Sequence, residues 1–304
     1  MKKKMPPLYK WTLERLKKRI TRLYTPKRTA GEIIGEVKNI CEKAKIKLDV
    51  EFTKYPNHAM ELAKVARNKY DLVIVAGGDG TINEVINGLA NSKVTLAIIP
   101  FGSTNVLALE LGIPYNLKKA AKLIIKGKKI KMDLGYAQTS TKSRYFSTML
   151  SVGFDAHVIK NMDSKFKKKW GRLSYLLGGI KHLFIYKWHD IHVKNIKNSA
   201  GYFVIIANSK YYAGEYQIAD KANIQDGLLD LVIINRKKIR HIIRIILSLT
   251  MGKLNTFLKE EYSQTKEAHI YSHKKMWVQV DGELMGLAPV KVKVVPKALN
   301  IMGG

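Results

Sequence analysis

Gly77-Gly78-Asp79-Gly80-Thr81 is the run best suited to chemistry in this sequence. The apolar stretch Leu72-Val73-Ile74-Val75-Ala76 precedes it, and Ile82, Val85, Ile86 and Leu89 follow at the i, i+3, i+4, i+7 spacing of a helix face. A strand, a glycine turn and a helix N-terminus in that order make an anion cradle. Glycine lets a ligand approach the backbone, and successive N–H groups point at it. Phosphate suits such a site. Thr81 is placed to cap the helix with Glu84 three residues on, a capping-box pattern that an ordinary strand–turn–helix would also show. Three glycines around one aspartate exceed what that ordinary turn needs. No Gly-Lys-Ser/Thr follows, so the run is not a Walker A loop, and no protein-kinase signature is present. A second strand-to-helix turn lies at Pro100-Phe101-Gly102-Ser103-Thr104-Asn105. A third candidate is Asp281-Gly282-Glu283, between two alternating apolar runs. Asp-Gly there signals a hairpin, and the carboxylates leave a catalytic role open.

The elements that must position these turns follow from periodicity. Helices are predicted over 31–45, 59–67, 104–111 and 117–125, with a short strand over 48–52 and buried apolar strands over 72–76 and 94–99. This alternation implies an α/β fold: an N-terminal doubly wound parallel-sheet nucleotide-binding domain. From about Ile130 the pattern becomes alternating, over 130–136, 145–152, 190–194, 202–207, 228–234, 276–280 and 290–295, with helical patterns at 164–187 and 237–260. A second, antiparallel-β-rich domain is therefore expected. The expected division is a basic segment 1–28, an α/β domain 29–130 and a β-rich domain 131–304, the last residues free to pack back on the first domain. The active site is expected in the cleft between the two domains.

Composition narrows the partners. The chain has 304 residues, 54 Lys and Arg against 24 Asp and Glu, and a formal charge of +30. Such a field attracts nucleic acid, an anionic membrane surface or a phosphorylated substrate, and a merely lysine-rich surface would produce the same number. The single cysteine, Cys41, excludes an intramolecular disulfide. The basic N-terminus has no apolar run behind it, and no apolar stretch is long enough to span a bilayer. Within residues 2–28, Trp11, Leu13, Leu16, Ile20 and Leu23 suggest a basic amphipathic helix. Phe166, Trp170, Leu173, Leu177, Ile180 and Phe184 lie at helical spacing among lysines, as either a core-facing or an interfacial helix. The histidines show no metal-ligand spacing; His157, His182, His189 and His241 fit surface or core positions.

Gly-Gly-Asp-Gly-Thr resembles the superfamily of diacylglycerol, sphingosine and ceramide kinases, with NAD kinases as relatives. Pro100-Phe101-Gly102-Ser103-Thr104-Asn105-Val106-Leu107-Ala108 resembles the lipid kinases' second motif and favours them over NAD kinase. Phe52-Thr53, Ser151-Val152-Gly153-Phe154-Asp155-Ala156, Ala207-Asn208, Asp226-Gly227-Leu228 and Asp281-Gly282-Glu283 extend the resemblance over about residues 30–300. Three departures are Thr25, where the family carries Asn; Val106, where many relatives carry Asp; and Ala219-Asp220, where the family has Ala-Pro. The resemblance implies an ATP-dependent lipid kinase acting on a diacylglycerol-like hydroxyl. Gly77, Gly78, Asp79, Gly80, Thr81, Asn83 and Glu84, with Thr53, Ser103 and Asn105, would form the nucleotide site. Glu283 would accept the hydroxyl proton with Asp281 as partner, or the reverse. Asn223, Asp226 and Leu228 would hold Mg²⁺, unless that loop is a plain hairpin turn. The implied partners are a membrane lipid and an anionic membrane surface, with no specific nucleic acid. The implied location is cytoplasmic and peripheral to the membrane, and a homodimer is left open. The alternatives are an NAD kinase-like enzyme, a catalytically degenerate lipid-binding relative, and a basic nucleic-acid-binding protein.

Overall fold

The structure, a computed structural model, describes residues 20–24, 30–102, 104–162, 178–179, 182, 185–194, 199–212, 214, 216–235 and 262–304. The chain divides into two compact units, one of residues 1–132 with 297–304 and the other of residues 133–296.

In the first unit strands and helices alternate. They are β1 (Ile20–Tyr24), α1 (Ala30–Lys43), β2 (Leu48–Phe52), α2 (His58–Ala66), β3 (Leu72–Gly77), α3 (Asp79–Leu89), β4 (Thr95–Pro100), α4 (Val106–Glu110) and α5 (Leu117–Lys126). The strand order is β2-β1-β3-β4, all parallel, and the last residues of the chain add beside β4 with Asn300 opposite Thr95. β3 and β4 are buried at every residue, which is why they are continuous runs of Leu, Val, Ile and Ala with no alternation. Helix α1 lays Ile33, Val37 and Cys41 against Leu72, Ile74 and Ala76. On the other side α2 and α3 meet at Gly88, where a Cβ would lie 2.4 Å from Cβ of Ala63. The strand order reverses between β1 and β3. In open parallel sheets ligands bind outside the carboxyl ends of strands at such a reversal.

One local expectation is corrected. Ile20 and Leu23, assigned above to an amphipathic helix, belong to β1, which pairs with β2 on one side and β3 on the other. Two ladders of backbone hydrogen bonds outweigh a short apolar periodicity. The remainder of that pattern, residues 1–19, lies outside the described residues, as does Thr25.

β5 (Lys128–Gln138) carries the chain into the second unit. There follow β6 (Ser143–Phe146), β7 (Met149–Val152), α6 (Phe154–Asn161), β8 (Ile191–Lys194), β9 (Ser199–Gly201), β10 (Phe203–Ala207), β11 (Tyr211–Tyr212), β12 (Tyr216–Gln217) and β13 (Leu229–Ile234). The chain ends with β14 (Tyr262–Thr265), β15 (Glu267–Tyr271), β16 (Trp277–Val280), β17 (Glu283–Leu287) and β18 (Val290–Gly303). One antiparallel sheet has the order β14-β13-β10-β7-β16-β17; β15 pairs with β8 and with the start of β18 in another. Leu150, Val152, Val204, Ile206 and Val278 of the first sheet pack on Ile191, Val193, Ile270 and Val292 of the second. The opposite face of the first sheet buries Ile205, Ala207 and Val232 beneath Ile218, Ala219 and Ala222. Covered on both faces, β7, β10 and β13 are buried throughout.

Here too the structure departs from pattern reading. The strand expected over 145–152 ends at Gly153, whose φ of 119° lets β7 turn directly into α6. Strands β14 and β15 were not predicted. The patterns at 164–177 and 237–260 lie outside the described residues.

Candidate functional site

The glycine turn and the second turn lie together at the carboxyl edge of the first unit's sheet. Gly77 ends β3 opposite Pro100 of β4, and the Phe101 N–H donates to the Gly77 carbonyl at 2.9 Å. A Cβ on Gly102 would stand 2.7 Å from Gly78 Cα, so the two turns touch where both lack side chains. Asp79, the first residue of α3, fastens them: its carboxylate accepts the N–H groups of Asn105 at 2.9 Å and Val106 at 2.8 Å. Val106 therefore contributes through its backbone, whatever its side chain. Asn105 is buried and left-handed, with φ 48°, and its amide donates to the Gly102 carbonyl at 2.7 Å. Thr53 follows β2 at the same edge, since Phe52 and Ala76 are both in register with Tyr24 of β1. Ser103 lies outside the described residues.

The capping box is corrected. Helix α3 starts at Asp79 with Gly78 as N-cap, a residue with no side chain to cap it; Thr81 lies inside the first turn. Glu84 instead accepts the N–H groups of Asn57 at 2.9 Å and Ala59 at 3.1 Å, capping the neighbouring α2. Asn83 is buried and accepts the Asn87 amide at 3.0 Å. An α3 N-terminus with glycine at its N-cap, flanked by Gly78 and Gly80, is a place where an anion can take the cap's role.

The second unit places Asp281 and Glu283 on the β16–β17 hairpin, with Asp281 at φ 45° and Gly282 at φ 84°. The hairpin reading of Asp-Gly is thus correct as structure. The two carboxylates have different surroundings. Asp281 accepts the N–H and hydroxyl of Ser147, the N–H and hydroxyl of Thr148 and the N–H of Met149, at 2.6–3.0 Å. Glu283 projects to a half-exposed position and is ion-paired with Arg144 at 2.5 Å. Asp281 braces the turn, and Glu283 keeps an oxygen for other work.

The hairpin is also tied inward. The Gly282 N–H donates to Gln279, whose amide donates to Ser151 at 2.9 Å and to Asp155 at 3.2 Å. Asp155 is buried, and burial pushes its carboxyl up to about 6, against the opposing hydrogen bonds from Ser151, Ala156, Gln279 and Tyr212. A carboxyl with a raised folded-state pKa holds its proton more tightly when folded. Its contribution to stability is therefore full below about pH 4 and is lost as pH rises through about 6. The span corresponds to roughly 3 kcal/mol. In urea titrations the wild type should lose that much more stability than Asp155→Asn between pH 4 and pH 7; parallel profiles would contradict this.

The third predicted group closes on itself. Asn223 accepts the Gln225 N–H at 3.1 Å, Asp226 accepts the Leu228 N–H at 3.0 Å, and Gly227 donates to buried Asp133 at 2.7 Å. Gly227 has φ 73°. These are the bonds of a turn, and among the described residues no three of His, Cys, Asp and Glu gather around a metal position. His157 packs against His182 and Tyr186, and burial, then His182 and Lys160, lower its pKa.

Comparison with known proteins decides the family. Residues 24–137 match the diacylglycerol kinase catalytic domain, and residues 148–303 match the domain described as the YegS C-terminal NAD kinase beta sandwich-like domain. The chain is 30% identical to a diacylglycerol kinase of Bacillus subtilis over 286 residues, covering 90% of this chain and 92% of that one. The chain belongs to the diacylglycerol kinase family. A Staphylococcus epidermidis diacylglycerol kinase is 28% identical over 287 residues, covering 90% of this chain and 88% of its own. A crystal structure of a Bacillus anthracis diacylglycerol kinase shares the fold at TM-score 0.79, covering 95% of this chain and 97% of that one at 23% identity. A diacylglycerol kinase is a lipid kinase, and the resemblance found in the sequence is thereby shown. Sequence reasoning missed Arg144, which carried no local signal because its partner Glu283 is 139 residues away.

Proposed function

We propose that this diacylglycerol kinase family member transfers the γ-phosphate of ATP to the hydroxyl of a diacylglycerol-like lipid at a membrane surface. The observation that carries the reading is the pair of touching glycine turns at the carboxyl edge of the parallel sheet, ending on an α3 N-terminus whose N-cap is Gly78. Phosphoryl transfer demands positioning and charge stabilisation more than covalent help from the protein. Backbone N–H groups of the turn hold phosphate, and Asp79 keeps the turns together. Mg²⁺ arriving with the nucleotide would neutralise phosphate charge. Glu283 accepts the lipid hydroxyl's proton as the oxygen attacks, with Arg144 fixing the carboxylate's orientation. Among the described residues no helix is long and apolar enough to cross a membrane. The +30 charge supports peripheral attachment to anionic lipid.

The test is nucleotide binding by Gly78→Ala. Gly78 has φ −87° and ψ 179°, which alanine adopts freely, and its Cβ would sit an ordinary 3.5 Å from Gly102 Cα. The variant should fold. The methyl group crowds the anion position and costs one or two charge-assisted hydrogen bonds, so ATP affinity by calorimetry should fall roughly tenfold to a hundredfold. Unchanged affinity in the folded variant contradicts the cradle.

A further inference from the structure

The outer face of the sheet formed by β8, β15 and the start of β18 carries a cationic cluster that phosphoryl transfer does not use. Alternation turns Ile191, Val193, Ile270 and Val292 into the core, so His192, Lys194, His269, Tyr271, Lys291 and Lys293 face outward. Register places His269 opposite both Lys194 and Lys291, and Tyr271 opposite His192. His192 stacks on Tyr271 with centroids 5.2 Å apart, Lys194 Nζ lies 5.1 Å from the same ring, and His273 is 5.9 Å from His192. Among the described residues none of these lysines is ion-paired. Glu267, opposite Lys293, is the one carboxylate in the outward positions of these paired segments. Burial, then Lys194 and Lys291, lower the pKa of His269, as an uncompensated positive field does.

Like charges assembled on an open sheet face repel one another, and an anionic surface laid over them would relieve that repulsion. We propose that this face is a docking surface for an anionic bilayer, with lipid phosphates lying over Lys194, Lys291 and Lys293. The inference rests on the membrane-lipid reading above. Charge complementarity selects an anionic occupant. The aromatic groups select a bilayer over nucleic acid. Base stacking needs an open ring, and Tyr271 is already engaged by His192 and Lys194. Tyrosine and lysine on one face both suit headgroup depth, with apolar stems inward and polar tips outward.

The experiment uses the full chain and vesicles of phosphatidylcholine with an equal amount of phosphatidylglycerol. Lys194→Gln, Lys291→Gln and Lys293→Gln are combined in one variant. A second variant combines Lys118→Gln, Lys119→Gln and Lys122→Gln, exposed lysines of α5 that remove the same charge elsewhere. A lysine close to an anionic surface contributes about fivefold to partitioning, so the first variant should bind about a hundredfold more weakly and the second less than tenfold. Turnover on detergent-dispersed diacylglycerol should be unchanged in both, which separates docking from catalysis: a wild type inactive in detergent but binding vesicles would sink the kinase reading alone. Equal losses in the two variants, or no loss in the first, overturn the proposal. Retention of single-stranded RNA more tightly than vesicles at the same salt, abolished in the first variant, also overturns it.

Discussion

Replacing Glu283 by Gln is expected to lower turnover by roughly 10²–10⁴ while ATP binding and the melting temperature stay close to wild type. Glutamine keeps the shape and can still hydrogen-bond Arg144, but it cannot take a proton from an attacking hydroxyl. The side chain is half-exposed and its ion-pair partner, Arg144, is also partly exposed, so little stability rides on it. Turnover should fall without a matching rise in KM for ATP, because the contact is used as the proton moves and not when nucleotide binds. A Glu283→Gln enzyme of wild-type rate removes the proton acceptor assigned here.

The second large effect falls on stability. Asp281→Asn should destabilise the protein by about 3–5 kcal/mol, since an amide presents N–H donors to N–H and O–H groups that now point at a carboxylate. Five donors from Ser147, Thr148 and Met149 converge on that side chain, and the Asp281 N–H donates back to the Met149 carbonyl at 2.9 Å. Losing this brace frees the turn that carries Glu283, so turnover falls as well. The order of events separates the two residues: Asp281→Asn should melt about 10 °C lower, and Glu283→Gln should not. A thermally normal Asp281→Asn that has lost activity would exchange their roles.

The first unit was legible because its signals are local. β3 and β4 are covered on both faces and so read as unbroken apolar runs, and the glycines mark the places where two turns touch. Legibility declines where partners are distant in sequence. The spacing of Thr81 and Glu84 matched a capping box, yet Glu84 serves Asn57 and Ala59 on another helix. Strand β14 carries Ser, Gln and Thr on exposed or half-exposed positions and has no apolar period, and β15 alternates with only Ala268 and Ile270 on its inward side, too short a signal to stand out. The end of β18 follows Pro296 and a left-handed Lys297 at φ 54°, features that ordinarily stop a strand. Asp281 and Glu283 looked equivalent in sequence. Ser147 and Arg144, 134 and 139 residues away, make them different, and no window of sequence contains both ends of such a contact.

The central claim, phosphate transfer from ATP to a lipid hydroxyl, is tested most directly by following the label. Purified protein is given ATP radiolabelled on its γ-phosphate, Mg²⁺, and in separate reactions detergent-dispersed diacylglycerol, sphingosine, ceramide or NAD. Label is predicted to enter the organic phase with diacylglycerol, to disappear in Glu283→Gln and to be absent from NAD. Label transferred to NAD and to none of the lipids would contradict the account.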